Sequence, residues 1–414
     1  MFCGHELAQL GHESIIIEKA DFVGGLAATH LIDGNKFEIG PHIIYTEDEY
    51  ILDIAKEFLG DDLLLKQWHV EQLIENQLLV FPNSILDMVN KLGIAKLVSF
   101  LASYLQHRFT PVTDFNSFLY KKLGREFAEF NVINYTEKMW GVSLNDLETS
   151  WIKPRFERLS LLKILKTVYS NNDRSFYYPS GGAGMLYDNM SKNLNIQLKE
   201  WPIKIYHDNN MVTSIETNKS KYIIDQIYSS IPVNHLLGLM DPLPPVDVLR
   251  AGKSLIHRSQ IYVIMLTDKS KVISSQWIYF PETSIPFCRV HAPGNFSGSM
   301  SVEDQSVLVF EYFSFTKDSI WSQSDELIIS ETKRTFQNLN IAPKFEIVNS
   351  RVIRNEFAYP LMNVERSKRF ALIKEYFSSF SNVNLIGRHG LHTYDNQDGA
   401  GRTGIDAARA SITY

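Results

Sequence analysis

The chain has 414 residues, above the roughly 250–300 at which one hydrophobic core stops growing, so two or three domains are expected. Apolar residues make up 44% and charged residues 21%, ordinary globular usage that excludes a disordered, collagen-like or coiled-coil chain. The 41 Lys and Arg against 47 Asp and Glu leave a net charge of −6 with no basic block, which argues against a nucleic-acid partner.

Residues 2–10 (FCGHELAQL) carry apolar side chains at helical spacing, and Gly11 stands where a helix C-cap glycine belongs. Ser14-Ile15-Ile16-Ile17 is a β-branched run without polar alternation, the pattern of a strand buried on both faces of a parallel sheet. It ends at Glu18. Helix, glycine, buried strand and acid together read as the second half of a βαβ dinucleotide-binding unit. Such a unit should open with a strand and a G-x-G-x-x-G turn, and neither precedes Met1. A start set downstream of the natural one, or a truncated chain, accounts for this better than a true loss, because a parallel sheet lacking its central strand leaves backbone groups unpaired.

Residues 47–123 read as largely helical, with a short break at Leu79-Val80-Phe81-Pro82 that reads as a strand-to-turn, and the helical pattern continues through 114–139. Residues 161–169 mix lysine and leucine at helical spacing, as a surface helix or a lid. Gly181-Gly182-Ala183-Gly184 precedes a helix over 185–194. Short strands at 203–206, 211–216 and 221–229 are joined by Asp/Asn turns, and a second strand-rich block runs over 260–315. A helix over 325–339, a short buried strand at 384–386, a glycine-rich loop and a final helix complete the chain. Cys3 and Cys288 are too few for a disulfide framework and fit a reducing compartment. The most apolar stretch, 94–105, contains Lys96 and is shorter than the ~20 residues of a membrane span. The expected location is cytoplasmic, with no transmembrane segment. No His/Cys/Asp cluster has metal-ligand spacing, and no G-x-S-x-G elbow is present.

Glu18 is placed to accept hydrogen bonds from an adenosine ribose, or is simply a surface acid ending a strand. Gly24 and Gly25, followed by Leu26, let main chain approach a phosphate or ribose. The order Glu18, Gly24-Gly25, then Phe37-Glu38-Ile39-Gly40-Pro41-His42, with Gly387-Arg388-His389-Gly390 and Tyr394-Asp395-Asn396-Gln397-Asp398 near the end, resembles the FAD-binding superfamily of amine oxidases and protoporphyrinogen oxidases. Within it the chain is most similar to the UDP-galactopyranose mutases. YTEKMWG at 135–141, WIKPR at 151–155, QWIYFPETSIPFCR at 276–289 and AYP at 358–360 carry that likeness over nearly the whole length.

The resemblance implies an α/β fold: a Rossmann-like FAD-binding domain, here without its first strand and glycine loop, with inserted helical and antiparallel β domains. The FAD-binding parts would be 1–46, 176–240 and 356–414, the helical insertion 47–175 and the β-rich substrate domain 241–355. It implies FAD, reduced for activity, and a nucleotide-sugar substrate that is UDP-linked. In the implied reaction the reduced flavin N5 attacks the anomeric carbon, UDP leaves, and the sugar ring opens and recloses as pyranose or furanose. Arg155 (with Arg158 a competing match) and Arg289 would hold the diphosphate. Tyr279, Tyr312, Tyr359 and Tyr394 would add phenol donors. Trp140 would pack near the nucleotide or serve as a core residue, and His42 would lie beside the flavin. Gly40, Gly387, Arg388, Asn396, Gln397 and Asp398 complete the implied cofactor contacts. Gly399-Ala400-Gly401-Arg402 is looser and more basic than that resemblance leads one to expect. An oxidoreductase of the amine oxidase type and a non-catalytic nucleotide-sugar-binding relative remain the alternatives. A homo-oligomer is open to it.

Overall fold

A computed structural model describes residues 1–83, 85–148 and 174–411; Arg155, Arg158 and the 161–169 segment lie outside the described residues. Helix α1 (Phe2–Gln9) leads to β1 (Ile15–Glu18) and to the hairpin β2 (Thr29–Ile32)–β3 (Asn35–Glu38). Helix α2 (Glu49–Leu59) starts at Asp48, whose carboxylate accepts the Ile51 amide at 3.2 Å, a side-chain N-cap.

Three strands then replace part of the helix expected over 47–123: β4 (Leu63–Gln67), β5 (Val70–Ile74) and β6 (Gln77–Val80). The strands are four or five residues long and their apolar runs two or three, which suits strands and is too short for a packed helix. Glu75 and Asn76, at φ 48° and 60°, make the left-handed two-residue turn that matches the twist of the β5–β6 hairpin.

The helical body follows as expected: α3 (Ile85–Leu92), α4 (Ile94–His107), α5 (Phe115–Leu123), α6 (Arg125–Ala128) and α7 (Asn134–Trp140). A capping box fixes the start of α5, with the Asp114 carboxylate accepting the Ser117 amide at 2.7 Å. Phe100, Leu119, Leu123, Phe127 and Trp140 form its core together with Leu361 and Met362, which tie it to the rest of the chain.

Strand β7 (Ser175–Pro179) pairs antiparallel with β4, and α8 (Gly184–Ser191) follows the glycine-rich turn. Strand β8 (Asn195–Leu198) runs parallel to β1. The expected strand over 221–229 divides. Strand β11 (Lys221–Ile223) joins β10 (Met211–Thr217), β9 (Pro202–Asp208) and β13 (Met240–Asp241), whereas β12 (Ile227–Ser229) pairs in parallel with β19 (Val383–Leu385). The burial expected of β1 on both faces is not found: Ile15 is 47% exposed and Ile16 and Ile17 are half-buried. Among the described residues β8 is its one strand neighbour, and α1 covers one face, packing Gly4 against Ile16.

The largest sheet has seven strands in the order β18 (Ile347–Pro360), β14 (His257–Thr267), β17 (Ser306–Ser314), β16 (Arg289–His291), β15 (Trp277–Tyr279), β5, β6. All neighbours are antiparallel except β15 and β5. Every residue of β14 is buried because both faces are covered. Ile261, Val263 and Met265 meet Ile328 and Phe336 of the helix Asp325–Asn338, and the alternate residues Tyr262, Ile264 and Leu266 meet Phe37 and Ile39. The long strand β18, with polar residues interleaved, was not anticipated from the sequence.

Candidate active site

The β3 face of this sheet borders a cavity of about 320 Å³. Four register partners build its floor. Tyr279 on β15 lies opposite Arg289 on β16, Arg289 opposite Glu311 on β17, and Glu311 opposite Tyr262 on β14. Register partners point to one side of a sheet, so these four side chains form a transverse row, and all four line the cavity. Tyr312 follows Glu311 directly and therefore points to the other face. Its hydroxyl meets Thr332 at 2.6 Å in the core behind the sheet, and it does not reach the cavity. Tyr312 is thus corrected from a substrate-binding to a packing residue.

Arg289 donates from Nε to Glu311 Oε1 at 2.7 Å and from Nη2 to Oε2 at 2.6 Å, a bidentate pair. Gln260 Nε2 adds a donor to Oε2 at 3.2 Å, and the His291 ring lies 3.2 Å from Oε1. Burial opposes ionisation of Glu311, but the Arg289 guanidinium overrides it and holds the carboxyl at about 2. Burial depresses His291, so it is neutral. Glu38, at the end of β3, is the opposite case: burial raises it to about 7 despite the Tyr178 hydroxyl, which donates at 3.0 Å.

Further lining residues come from the end of β18 and from the C-terminal segment. Arg388 donates from Nε to the Asp395 carbonyl at 2.8 Å and from Nη1 to the Ala358 carbonyl at 3.3 Å, and its guanidinium sits 4.9 Å over the Tyr359 ring. Among the described residues no carboxylate pairs with it. Tyr359 and Tyr394 stack with centroids 5.6 Å apart, and Trp140 meets Tyr394 edge-on at 5.5 Å. Trp140 is 2% exposed and backs these rings without lining the cavity. Asn396, Gln397 and Asp398 line the cavity at the N-terminal end of the terminal helix Gln397–Ala410, where amides and the positive end of the helix dipole lie. Gln397 is held by the Ile43 carbonyl at 2.8 Å and by the Tyr187 hydroxyl at 2.9 Å.

His42 lines the cavity with its Nδ1 buried and unpartnered, and burial, reinforced by Arg388, lowers its pKa to about 3. Gly40, at φ 112°, and Leu26 also line it. Gly24 and Gly387 take the left-handed conformation, at φ 92° and 68°. Glu18 ends β1 and accepts the Ala20 amide at 2.8 Å. A neutral buried imidazole, a helix N-terminus and side-chain-free main chain facing one cavity suit a flat ring rich in hydrogen-bonding groups. Glu311, Gln260, Tyr262 and Trp277 also line the cavity and were not singled out from the sequence. The available signal was Glu311 itself, one acid inside the apolar run VLVFEYF.

The fold and this cavity define an FAD-type α/β flavoprotein architecture. Over residues 1–411 the chain matches the family of flavin containing amine oxidoreductases, and it belongs to that family. A UDP-galactopyranose mutase of Mycoplasma pneumoniae is 23% identical over 410 residues, covering 96% of this chain and 89% of the relative. Among solved structures, a reduced UDP-galactopyranose mutase superposes with a TM-score of 0.86 at 19% identity, covering 99% of this chain and 92% of that one. A protein described as a putative protoporphyrinogen oxidase from Exiguobacterium gives 0.77 at 15% identity, with 99% and 95% covered. A putrescine oxidase bound to putrescine gives 0.63 at 14% identity, with 100% and 96% covered. No single helix among the described residues is long and apolar enough to cross a membrane.

Proposed function

We propose that the protein is an FAD-dependent isomerase that interconverts the pyranose and furanose forms of a UDP-linked sugar. The observation that carries this reading is the meeting of Arg289, Arg388, Tyr279, Tyr359 and Tyr394 on one cavity beside neutral His42. A departing nucleoside diphosphate gathers negative charge as its bond to the sugar breaks. Two guanidiniums fixed in advance, one by Glu311 and one by backbone carbonyls, receive that charge without reorganising. The phenols of Tyr279, Tyr359 and Tyr394 add donors on rigid rings. Arg155 is assigned to the same diphosphate on its resemblance alone.

When bound, reduced FAD supplies the nucleophile at the anomeric carbon. Glu18, Gly24, Gly25 and Gly387 would hold its nucleotide portion, and His42, Gly40 and Asn396 to Asp398 would flank its ring. His42, uncharged at neutral pH, accepts or donates one hydrogen bond there without adding a charge. The mutase relatives support the substrate class. Amine oxidation is the second reading, favoured by the putrescine oxidase likeness. Arg388, lacking a carboxylate partner among the described residues, disfavours an alkylammonium substrate. The test is incubation of FAD-loaded, dithionite-reduced protein with UDP-galactopyranose or UDP-galactofuranose, read by chromatography. Interconversion supports the isomerase, and its absence with flavin bound refutes it for this sugar.

A further inference from the structure

Strands β15 and β16 are joined by the turn 280–288, across which the Phe280 amide donates to the Cys288 carbonyl at 2.9 Å. Tyr279 precedes this turn and Arg289 follows it. Lys138, on α7, reaches into it. Its ammonium donates to the carbonyls of Phe280, Glu282 and Phe287 at 2.7, 2.8 and 2.8 Å, one proton to each. One cation therefore clasps both arms of the turn. Among the described residues no carboxylate bonds to that cation, and the Glu282 carboxylate accepts the Glu75 amide instead, at 2.9 Å. Lys138 itself does not line the cavity. The rest of α7 is tied to the same site. Tyr135, one turn before Lys138, meets the Tyr279 ring edge-on at 5.1 Å, and Trp140 meets Tyr359 and Tyr394 at 6.1 and 5.5 Å. Arg258, the register partner of Tyr359, anchors the end of the helix. It donates to the Met139 carbonyl at 2.9 Å and to the Lys138 carbonyl at 3.3 Å.

We propose that Lys138 is a positioning residue for diphosphate binding: it clasps the β15–β16 turn and so holds Tyr279 and Arg289 in place for the ligand. This role rests on the reading of Arg289 as a diphosphate-binding group. Glu311 fixes the tip of the Arg289 side chain, and Lys138 fixes the main chain from which that side chain springs. Without the ammonium, three carbonyl oxygens that converge on one point lose their donor and repel one another, so the turn spreads. Charge matters as well as shape. Burial lowers the Lys138 pKa to about 8, against the opposing influence of Cys288 and Glu282, so the clasp weakens as pH rises through about 8. The other groups around it hold their charge state. Burial raises the Cys288 thiol, which stays neutral, and lowers Arg258 only to about 10, which leaves it a cation. Glu137, beside Lys138 on α7, is turned to the Leu144 amide at 2.9 Å.

Calorimetric titration of UDP into flavin-loaded Lys138→Met, paired with hydrogen–deuterium exchange of residues 280–288, tests this. Methionine keeps an unbranched stem and removes the charge. Exchange over 280–288 should quicken at least about tenfold, while the terminal helix Gln397–Ala410 and the flavin occupancy stay as in the parent. UDP affinity should fall at least about tenfold, but by less than about twofold when the substitution is added to Arg289→Met. In the parent, affinity should decline from about pH 7 to about 9 relative to Lys138→Arg, whose charge does not titrate there. That second variant carries the test if Lys138→Met does not fold. Unchanged exchange refutes the clasp. Full additivity with Arg289→Met, or a parent whose affinity is as flat with pH as that of Lys138→Arg, overturns the positioning role. A parent that takes up no UDP refutes the diphosphate reading and this role with it, and faster exchange in Lys138→Met then leaves only the clasp standing.

Discussion

Replacing Glu311 by Gln removes the anion that fixes Arg289 while leaving the side chain's volume nearly unchanged. Glu311 is fully buried, and the Arg289 side chain is 14% exposed. Breaking a buried pair by removing one partner leaves an uncompensated charge, at a cost of about 3–5 kcal/mol. The carboxyl's own titration gives a similar figure. Held at about 2 instead of the ordinary 4.5, it contributes on the order of 3 kcal/mol to folding at neutral pH. The folded value is depressed, so this stability is fully present above about 4.5 and is lost as pH falls through about 2. Urea unfolding followed by tryptophan fluorescence should therefore show Glu311→Gln several kcal/mol less stable than the parent at neutral pH. The gap between the two should close as the buffer is acidified. A variant within 1 kcal/mol of the parent at pH 7, or a gap independent of pH, refutes the assignment of Glu311 as the ionised anchor of Arg289.

Glu38→Gln should act with the opposite sign. Burial lifts this carboxyl from 4.5 to about 7, so the parent loses stability as pH rises from about 4.5 to 7 while the unfolded chain ionises first; denaturation midpoints of the Gln variant should lack that decline. Arg289→Lys keeps the charge but not the two-pronged geometry, and should lower kcat/KM for the nucleotide sugar by at least about tenfold in steady-state assays. Trp140→Ala should destabilise the protein by about 3–5 kcal/mol in chemical denaturation, since it empties a buried site against Tyr394 and Tyr359. Gly124→Ala should cost more than about 1 kcal/mol by the same measurement. Its φ is +78° and a Cβ would lie 2.6 Å from the Tyr104 backbone nitrogen.

Periodicity exposed the helical body because α5 carries its own cap at Asp114 and its apolar residues repeat at helical spacing. It failed at 63–78, where short apolar runs carry no period long enough to separate helix from strand, although the strand-to-turn at Leu79-Val80-Phe81-Pro82 marks the end of β6 and the Glu75-Asn76 turn marks the hairpin. Strand β18 is not legible in the sequence because both its faces are partly wet, so its apolar residues show no alternation. At the site, Arg289 and Tyr359 lie at strand ends, His42 in a loop and Arg388 in the short helix Gly387–Gly390; their motif-like neighbours single them out in the sequence, and the structure brings all four to one cavity. Glu311 and Tyr262 were not. Their presence beside Arg289 follows from the pairing of β14, β16 and β17, a register set by strands whose partners lie 18 or more residues apart. The same register turns Tyr312 away, which no single-strand reading can detect.

The central claim is that a guanidinium–phenol wall beside the flavin site binds a nucleoside diphosphate. Calorimetric titration of UDP into FAD-loaded protein tests it without requiring turnover. The account predicts saturable binding to one site per chain, weakened at least tenfold in Arg289→Met with flavin occupancy retained. Flavin-loaded protein that takes up no UDP, or that binds it equally well without Arg289, contradicts the account.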